Sequence, residues 1–377
     1  MRTSRSSAFA VGLAALALLG SGCAALQKAM GMKTDLKDKP VSEIHGALAG
    51  GVKALCPGTQ APLILSAKLT SGEILVTEGA GNGKVTWDSF HIQGQGAAVD
   101  PEGMLTLDRD PRTTRGNPAH LAIQVVGQQV SSSLDIATRY DCAYWANFNG
   151  PSGRSGQDGL QGQSGEHGHD EISSGDSARA GGNGANGGRG QSGQSGENGI
   201  KADDIEVAVT LQPGVAAPLL QVRVHSTTQD HDELFLVDPQ GGSLKVTANG
   251  GAGGNGGHGG RGGDGGGGGT GAPAGIGGDG GDGGDGGDGA DGADGGHIKV
   301  TVSPEAKPYL AALSFENSGG AGGSPGSAGP QGYGGSTYSG GAQGHDGRSG
   351  NAGRRQGRDG RAGPKVEIKT AKLAALF

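Results

Sequence analysis

The chain has 377 residues, of which 84 are glycine, with 33% apolar and only 3% aromatic residues and a formal net charge of −7. Ordinary globular chains carry about 7% glycine and about 45–50% apolar residues. Glycine buries almost nothing and loses the most backbone entropy on folding, so this composition excludes a protein built throughout on conventional hydrophobic cores. The mildly acidic balance argues against nucleic acid as a partner.

Arg2 and Arg5 precede an apolar run from Ala8 to Leu19. That run is too short for a bilayer, which needs about 20 residues, and it reads as a secretory signal over residues 1–22. The stretch Leu19-Gly20-Ser21-Gly22-Cys23 resembles a bacterial lipobox, with Gly20 where leucine is usual. The resemblance implies lipidation of Cys23 and attachment to the membrane through that lipid. With Ala24 rather than aspartate next, it implies the outer membrane, facing the periplasm or the cell surface. An ordinary secretory signal is the alternative. Export leaves Cys56 and Cys142 as a candidate disulfide in an oxidising compartment, with two buried free thiols as the alternative.

Residues 23–56 are polar and Lys-rich and read as a tether, with one short helix expected around Val41 to Leu55. Over residues 57–149 short apolar runs such as Leu63-Ile64-Leu65 and Leu121-Ala122-Ile123 alternate with Gly, Asn, Asp and Pro. That texture predicts a small β-sandwich or barrel. Tyr140, Tyr144, Trp145 and Phe148 are expected in its core, with sugar stacking as the other use of such a cluster.

From Gly150 the organising signal is a period of three, over tracts 150–199, 250–296 and 319–363, the middle one mostly GGX. Strand patterns separate the tracts at 204–248, 297–316 and 365–377. Leu310-Ala311-Ala312-Leu313 is echoed by Leu373-Ala374-Ala375-Leu376, which predicts a docked final strand. A left-handed helix of three residues per turn and about 3.1 Å rise puts every third residue on one ridge. Glycine ridges then let such helices pack closely as polyglycine II, bonded through N–H and C=O groups otherwise left to water. Strands span only ~17–20 Å, so the tracts must fold back. Reversals are expected at Ala272-Pro273-Ala274 and at the phase slips near 169–174 and 354–357. The predicted fold class is mainly β: a sandwich or barrel, then a repeat module over residues 150–377 of polyglycine II helices interleaved with strands.

The repeats, Gly250-Gly251-Ala252-Gly253-Gly254-Asn255-Gly256-Gly257 above all, resemble the glycine-rich domain of Obg-type GTPases, phage tail adhesins and the repeats of mycobacterial PGRS surface proteins. What the resemblance implies is architecture, since no GTPase motif is present. Gly150-Pro151-Ser152-Gly153-Arg154-Ser155 also reads as collagen-like, but the tracts are poor in proline. A monomer is therefore expected over a trimeric stalk, with plain disorder the remaining alternative.

Asp279, Asp282, Asp285, Asp288, Asp291 and Asp294 occupy successive X positions. On one helix their carboxylates stand about 9.3 Å apart. Calcium needs 6–8 oxygens at 2.3–2.6 Å, so a calcium site there requires a facing ridge or backbone carbonyls. The default reading is a solvated acidic face with no cofactor. Arg348, Arg354, Arg355, Arg358 and Arg361 make the third tract's end basic, suited to register with the acidic ridge or to anionic glycan or lipid headgroups. The clusters 166–171 and 230–233 carry metal-ligand residue types without a catalytic spacing and read as solvated turns. With no nucleophile, phosphate-binding or metal motif above background, the expected role is a non-enzymatic, lipid-anchored surface scaffold, structural or adhesive. A surface module that binds polysaccharide or calcium is the alternative.

Overall fold

A computed structural model describes residues 33–171, 178–338 and 340–377; the signal segment and Cys23 lie outside these. The chain is mainly β. It divides into two compact units, residues 33–142 with 234–242 and Phe377, and residues 143–233 with 243–376.

The first unit is a sandwich of two sheets. One holds β1 (Val41–Leu48), β3 (Gln60–Leu69), β7 (Met104–Leu107) and β6 (Ala97–Val99) in that order, with β4 (Ile74–Val76) also on β3. The other holds β2 (Ala54–Leu55), β9 (Ser131–Thr138), β8 (Ala119–Val125) and β5 (Phe90–Gln95). The alternation of strand side chains makes the core: β8 buries Ala119, Leu121, Ile123 and Val125, and β3 buries Ala61, Leu63, Leu65, Ala67 and Leu69. The helix expected around 41–55 is instead β1 and β2. A register shift between Val41 and Glu43 puts buried Val41 three residues from buried Ile44, and Leu48 follows four later, so a bulged strand imitates helical spacing. More than half of the expected tether, from Leu36 to residue 56, thus belongs to the sandwich, with Leu36 fully buried in its core. A disulfide joins Cys56 to Cys142 with their Cα atoms 6.2 Å apart.

The second unit is organised by six glycine-rich rods. They cover residues 150–171, 181–200, 250–271, 275–296, 319–337 and 341–363, numbered here rods 1 to 6. One hydrogen-bonding rule relates them wherever the neighbour exists; rod 1 has none before it, and rods 5 and 6 have none two places on. Each rod donates one ridge of N–H groups to the rod before it, running antiparallel, as in Gly263 N–H to the Gly188 carbonyl. It donates a second ridge to the rod two places on, running parallel, as in Gly262 N–H to the Pro330 carbonyl. The bonds are 2.7–3.1 Å long. Rods 1, 3 and 5 therefore form one layer and rods 2, 4 and 6 a second, opposed layer.

Glycine is required wherever a neighbour closes in. A Cβ on Gly263 of rod 3 would fall far inside contact with the Gln163 carbonyl of rod 1, and one on Gly262 would meet the Gly281 carbonyl of rod 4. Rods 1 and 2 have no rod two places before them, and on that ridge they carry Arg154, Gln157, Leu160 and Gln163, or Ala185, Gln191 and Gln194. Rod 6 has no rod after it and carries Gln343, Asp346, Ser349 and Ala352 there.

Each layer continues into a sheet. β10 (Ala143–Asn147), β14 (Ser243–Thr247) and β16 (Leu313–Glu316) lie parallel and lead into rods 1, 3 and 5. β11 (Ile205–Leu211), β15 (Ile298–Val302) and β17 (Glu367–Thr370) lie parallel and follow rods 2, 4 and 6. β12 (Leu220–Ser226) and β13 (His231–Val237) complete that sheet beyond β11.

Ala272-Pro273-Ala274 does link rod 3 to rod 4. The slip at 354–357 is no reversal. Rod 6 runs through it with one extra residue, and the reversal lies earlier, around Tyr338 and Gly340 (φ 95°). The slip near 169–174 runs into residues 172–177, outside the described residues. The final strand expected over 373–377 does not form; the sheet ends at Thr370, and the Leu376 N–H donates instead to Gln221 Oε1 at 2.8 Å.

Gly263→Ala is expected to force rods 1 and 3 apart and cost about 1–3 kcal/mol as an overpacking change. Gly188→Ala, at a rod-2 position equivalent to Ala185, should stay within about 0.5 kcal/mol of the parent; urea unfolding midpoints check both. In the sandwich, a Cys56→Ser/Cys142→Ser double variant releases a loop with a sequence separation of 86. It is expected to lose about 4 kcal/mol in the same assay.

Candidate functional site

A rod presents three N–H groups per turn, and the two glycine ridges use only two. The third belongs to the X residue on the outer face, and it goes to a side chain of the parallel neighbour wherever that rod offers an acceptor within reach. In the layer of rods 1, 3 and 5, His258 N–H donates to Asp158 Oδ1 (2.7 Å), Ser324 N–H to Asn255 Oδ1 (2.8 Å) and Tyr333 N–H to Asp264 Oδ1 (2.8 Å). In the other layer Asn186 and Asn198 of rod 2 accept from Asp279 and Asp291 of rod 4.

The acidic ridge of rod 4 is the longest run of this kind. Asp279, Asp282 and Asp285 accept the N–H groups of His345, Arg348 and Asn351 on rod 6 at 2.7–2.8 Å. Asp288 accepts from both Arg354 (2.6 Å) and Arg355 (3.0 Å), which absorbs the extra residue of rod 6. Asp291 and Asp294 accept from Arg358 and Arg361 at 2.8 and 2.7 Å. These N–H donors hold the carboxyls of Asp279, Asp285 and Asp291 below the usual carboxylate value; for Asp291 the Arg355 guanidinium adds to the effect. Among the described residues no group of three or more His, Cys, Asp or Glu side chains gathers in a way that would hold a metal ion.

Because the carboxylates face the backbone, most of the arginine heads make no direct contact with them, although Arg354 and Arg358 lie near enough to help lower the carboxyl values of Asp285 and Asp291. Arg355 pairs with Asp291. Arg348, Arg354, Arg358 and Arg361 are exposed, and among the described residues their guanidinium groups form no ion pair or hydrogen bond. They line one edge of the outer face for about 40 Å at the polyglycine II rise, a row able to meet an extended anion.

The histidine clusters are placed differently from each other. The cluster at 166–171 is the end of rod 1 rather than a turn: His167 Nδ1 accepts Gly267 N–H at 2.9 Å and Asp170 accepts Thr270 N–H at 2.7 Å. The cluster at 230–233 does include a turn, with Asp230 at φ 51°. There Asp232 accepts from Arg223 at 2.9 Å and lies 3.0 Å from His225 Nδ1, and Arg223 first of all holds its carboxyl below the usual value. Of the aromatic cluster expected in the sandwich core, only Tyr140 lies in the first unit, where burial raises the pKa of its phenol; Tyr144, Trp145 and Phe148 lie in the second, and there Phe148 is buried. Trp145, expected in a core, is 56% exposed and donates its indole N–H to Thr247 Oγ1 at 2.9 Å.

Comparison with protein-family models, with curated proteins and with solved structures finds no match to this chain.

The capping by Asp279, Asp285 and Asp291 sets a pH dependence whose sign follows from their lowered carboxyl values. Its stabilisation is complete above the usual aspartate value of about 4 and is lost as the pH falls through the lower folded values. The melting temperature of the bundle should therefore hold from neutral pH to about 4 and drop below it. At neutral pH, Asp285→Asn keeps the Oδ1 acceptor and should melt near the parent, whereas Asp285→Ala should melt lower. Equal melting of the alanine variant and the parent would reject the capping role.

Proposed function

We propose that this chain is a lipid-anchored, non-enzymatic protein of the outer-membrane surface whose glycine-rich bundle is a stiff scaffold for structural or adhesive contacts. The observation that carries this reading is where the X residues point their chemistry. The acidic ridge that invites a metal-binding interpretation is spent on the amide groups of rod 6. The same is true of the asparagines on rods 2 and 3. Side chains used in this way hold rods together, which is what a load-carrying element needs. The lipobox resemblance at Leu19 to Cys23 supports the anchor and the compartment.

A second reading, a surface module for anionic polysaccharide, is favoured by the exposed guanidinium row of Arg348, Arg354, Arg358 and Arg361. Calcium has less support, since its 6–8 oxygens would have to compete with N–H donors already in place.

Light scattering and amide exchange on one sample test the scaffold reading. The expected result is a monomer whose rod glycine amides exchange orders of magnitude more slowly than an unstructured chain, with no melting shift on adding calcium. A trimer would replace the reading with a collagen-like stalk, and unprotected tracts would reduce the bundle to linkers. Saturable binding to an acidic polysaccharide that weakens in Arg358→Ser/Arg361→Ser would favour the second reading.

A further inference from the structure

We propose that the outer face of β5, β8 and β9 in the sandwich is a binding platform for a neutral glycan. This goes beyond the scaffold reading and does not depend on it. The strand registers lay out the face row by row. His91 pairs with Gln124 and Gln124 with Ser131; Gln93 pairs with Ala122 and Ala122 with Ser133. One row further, His120 stands between Gln95 and Asp135, with its Nδ1 2.7 Å from Asp135 Oδ1. The small side chain of Ala122 in the middle leaves a shallow depression of roughly 420 Å³ floored by β8 and walled by His91, Gln93, Gln124, Ser131 and Ser133. That volume falls within the range of small-molecule sites, about 300–1,000 Å³.

The residue types are not those a strand chooses for its own sake. Exposed strand positions favour threonine, β-branched and aromatic residues, or lysine and other charges that discourage sheet association. This face has none of them except Asp135, which is engaged with His120. Amides, hydroxyls and imidazoles that break the local preference are the departures expected at a functional surface.

Their hydrogen-bonding capacity is also largely unspent. Gln124 gives its amide N–H to the Gln128 carbonyl at 3.1 Å and keeps its side-chain oxygen free, and Gln93 Nε2 lies 3.1 Å from His91 Nε2. The Ser131 and Ser133 hydroxyls make no side-chain hydrogen bond among the described residues. Glutamine amides and serine hydroxyls both donate and accept, which matches the hydroxyl groups of a sugar. A polyanion would call for cations and a membrane surface for apolar side chains, and the face offers neither. A peptide strand would seek a sheet edge, and this is the broad side of β8.

The test is a titration of the uniformly ¹⁵N-labelled full chain with cellohexaose, maltohexaose, chitohexaose and, as the acidic counterpart, an oligogalacturonate. The expected result is saturable amide shifts confined to residues 91–95, 120–124 and 131–135 with at least one neutral oligosaccharide. Ala122→Trp, which fills the depression from an exposed position, should weaken that binding at least about tenfold with melting unchanged, and Gln93→Ala/Gln124→Ala should weaken it by a similar factor. The double variant stands in should the tryptophan disturb the sheet. The proposal is overturned by no shifts with any neutral oligosaccharide, by shifts confined to the rods, by binding indifferent to both variants, or by preference for the oligogalacturonate. None of these outcomes bears on amide protection in the bundle, so the scaffold reading stands or falls separately.

Discussion

A helix with three residues per turn sends its N–H groups outward in three directions, and it cannot satisfy any of them within itself. Everything in the second unit follows from where those three go. In the inner rods two reach the carbonyls of neighbouring rods, and the Cβ positions of the same two ridges fall against still other rods, which makes those ridges glycine. The third faces outward and, at many positions of rods 3 to 6, is taken by an Asn, Asp, His or Ser side chain from the parallel neighbour. The same accounting that governs helix ends and sheet edges in ordinary proteins applies here to every residue of a rod. Hydrophobic burial, which dominates conventional folding, is concentrated in the sandwich and in the two sheets that adjoin the rods, with small residues such as Ala290 buried among the rods themselves.

The glycine count per triplet consequently records position in the bundle. Rods 3 and 4 have neighbours on both inner sides and read GGX; rods 1 and 2 lack one neighbour and read GXY. On rod 6 the ridge without a neighbour carries Gln, Asp, Ser and Ala. These side chains occupy the places where a further rod would sit, so the bundle ends after six. An open glycine lattice would resemble an exposed sheet edge, a template for unwanted association, and side chains at its margins close it as charges and proline close edge strands. Rod 5 relaxes the rule, keeping Gly319, Gly322 and Gly334 against rod 6 but admitting Pro325, Ala328 and Gln331 between them.

Much of this architecture was legible in the sequence because sterics wrote it there. The period of three, the three tracts, the strands between them and the turn at Ala272-Pro273-Ala274 all follow from residues that have no substitute at their positions. What could not be read were features set by partners far along the chain. The role of the acidic ridge depends on rod 6 lying 66–67 residues away in parallel register, and nothing near Asp279 announces it. The extra residue at Arg354 and Arg355 looked like a break because the chance of one aspartate capping two successive amides is invisible in a linear pattern. The bulge in β1 disguised a strand by shifting its phase, and the polar face on β8 was missed because no motif marks it, only the absence of expected strand residues.

A repeat of three carries a problem of its own: sliding one rod past another by three residues preserves the backbone hydrogen bonds. Register must come from elsewhere, and the sheets supply it. Ala143 pairs with Ser243 in β10 and β14, and the same separation of 100 recurs along rods 1 and 3 from Asn149 and Asn249 to Asp170 and Thr270. β14 and β16 set 69 for rods 3 and 5, and β11 and β15 set 93 for rods 2 and 4. Strands with interdigitated apolar faces cannot slip by one residue without turning their side chains to the wrong side, so they act as clamps at one end of each layer. Between rods 3 and 5 the capping side chains confirm that register, since a slide by three would set rod-5 amides opposite Ala252, Arg261 or Gly267; the unbroken acidic ridge of rod 4 offers the same acceptor at every step and leaves the register of rods 4 and 6 to the sheet. The acidic residues that a search for chemistry singles out thus satisfy amides, while the strands, with the irregular caps of rod 3, make a degenerate repeat adopt a single structure.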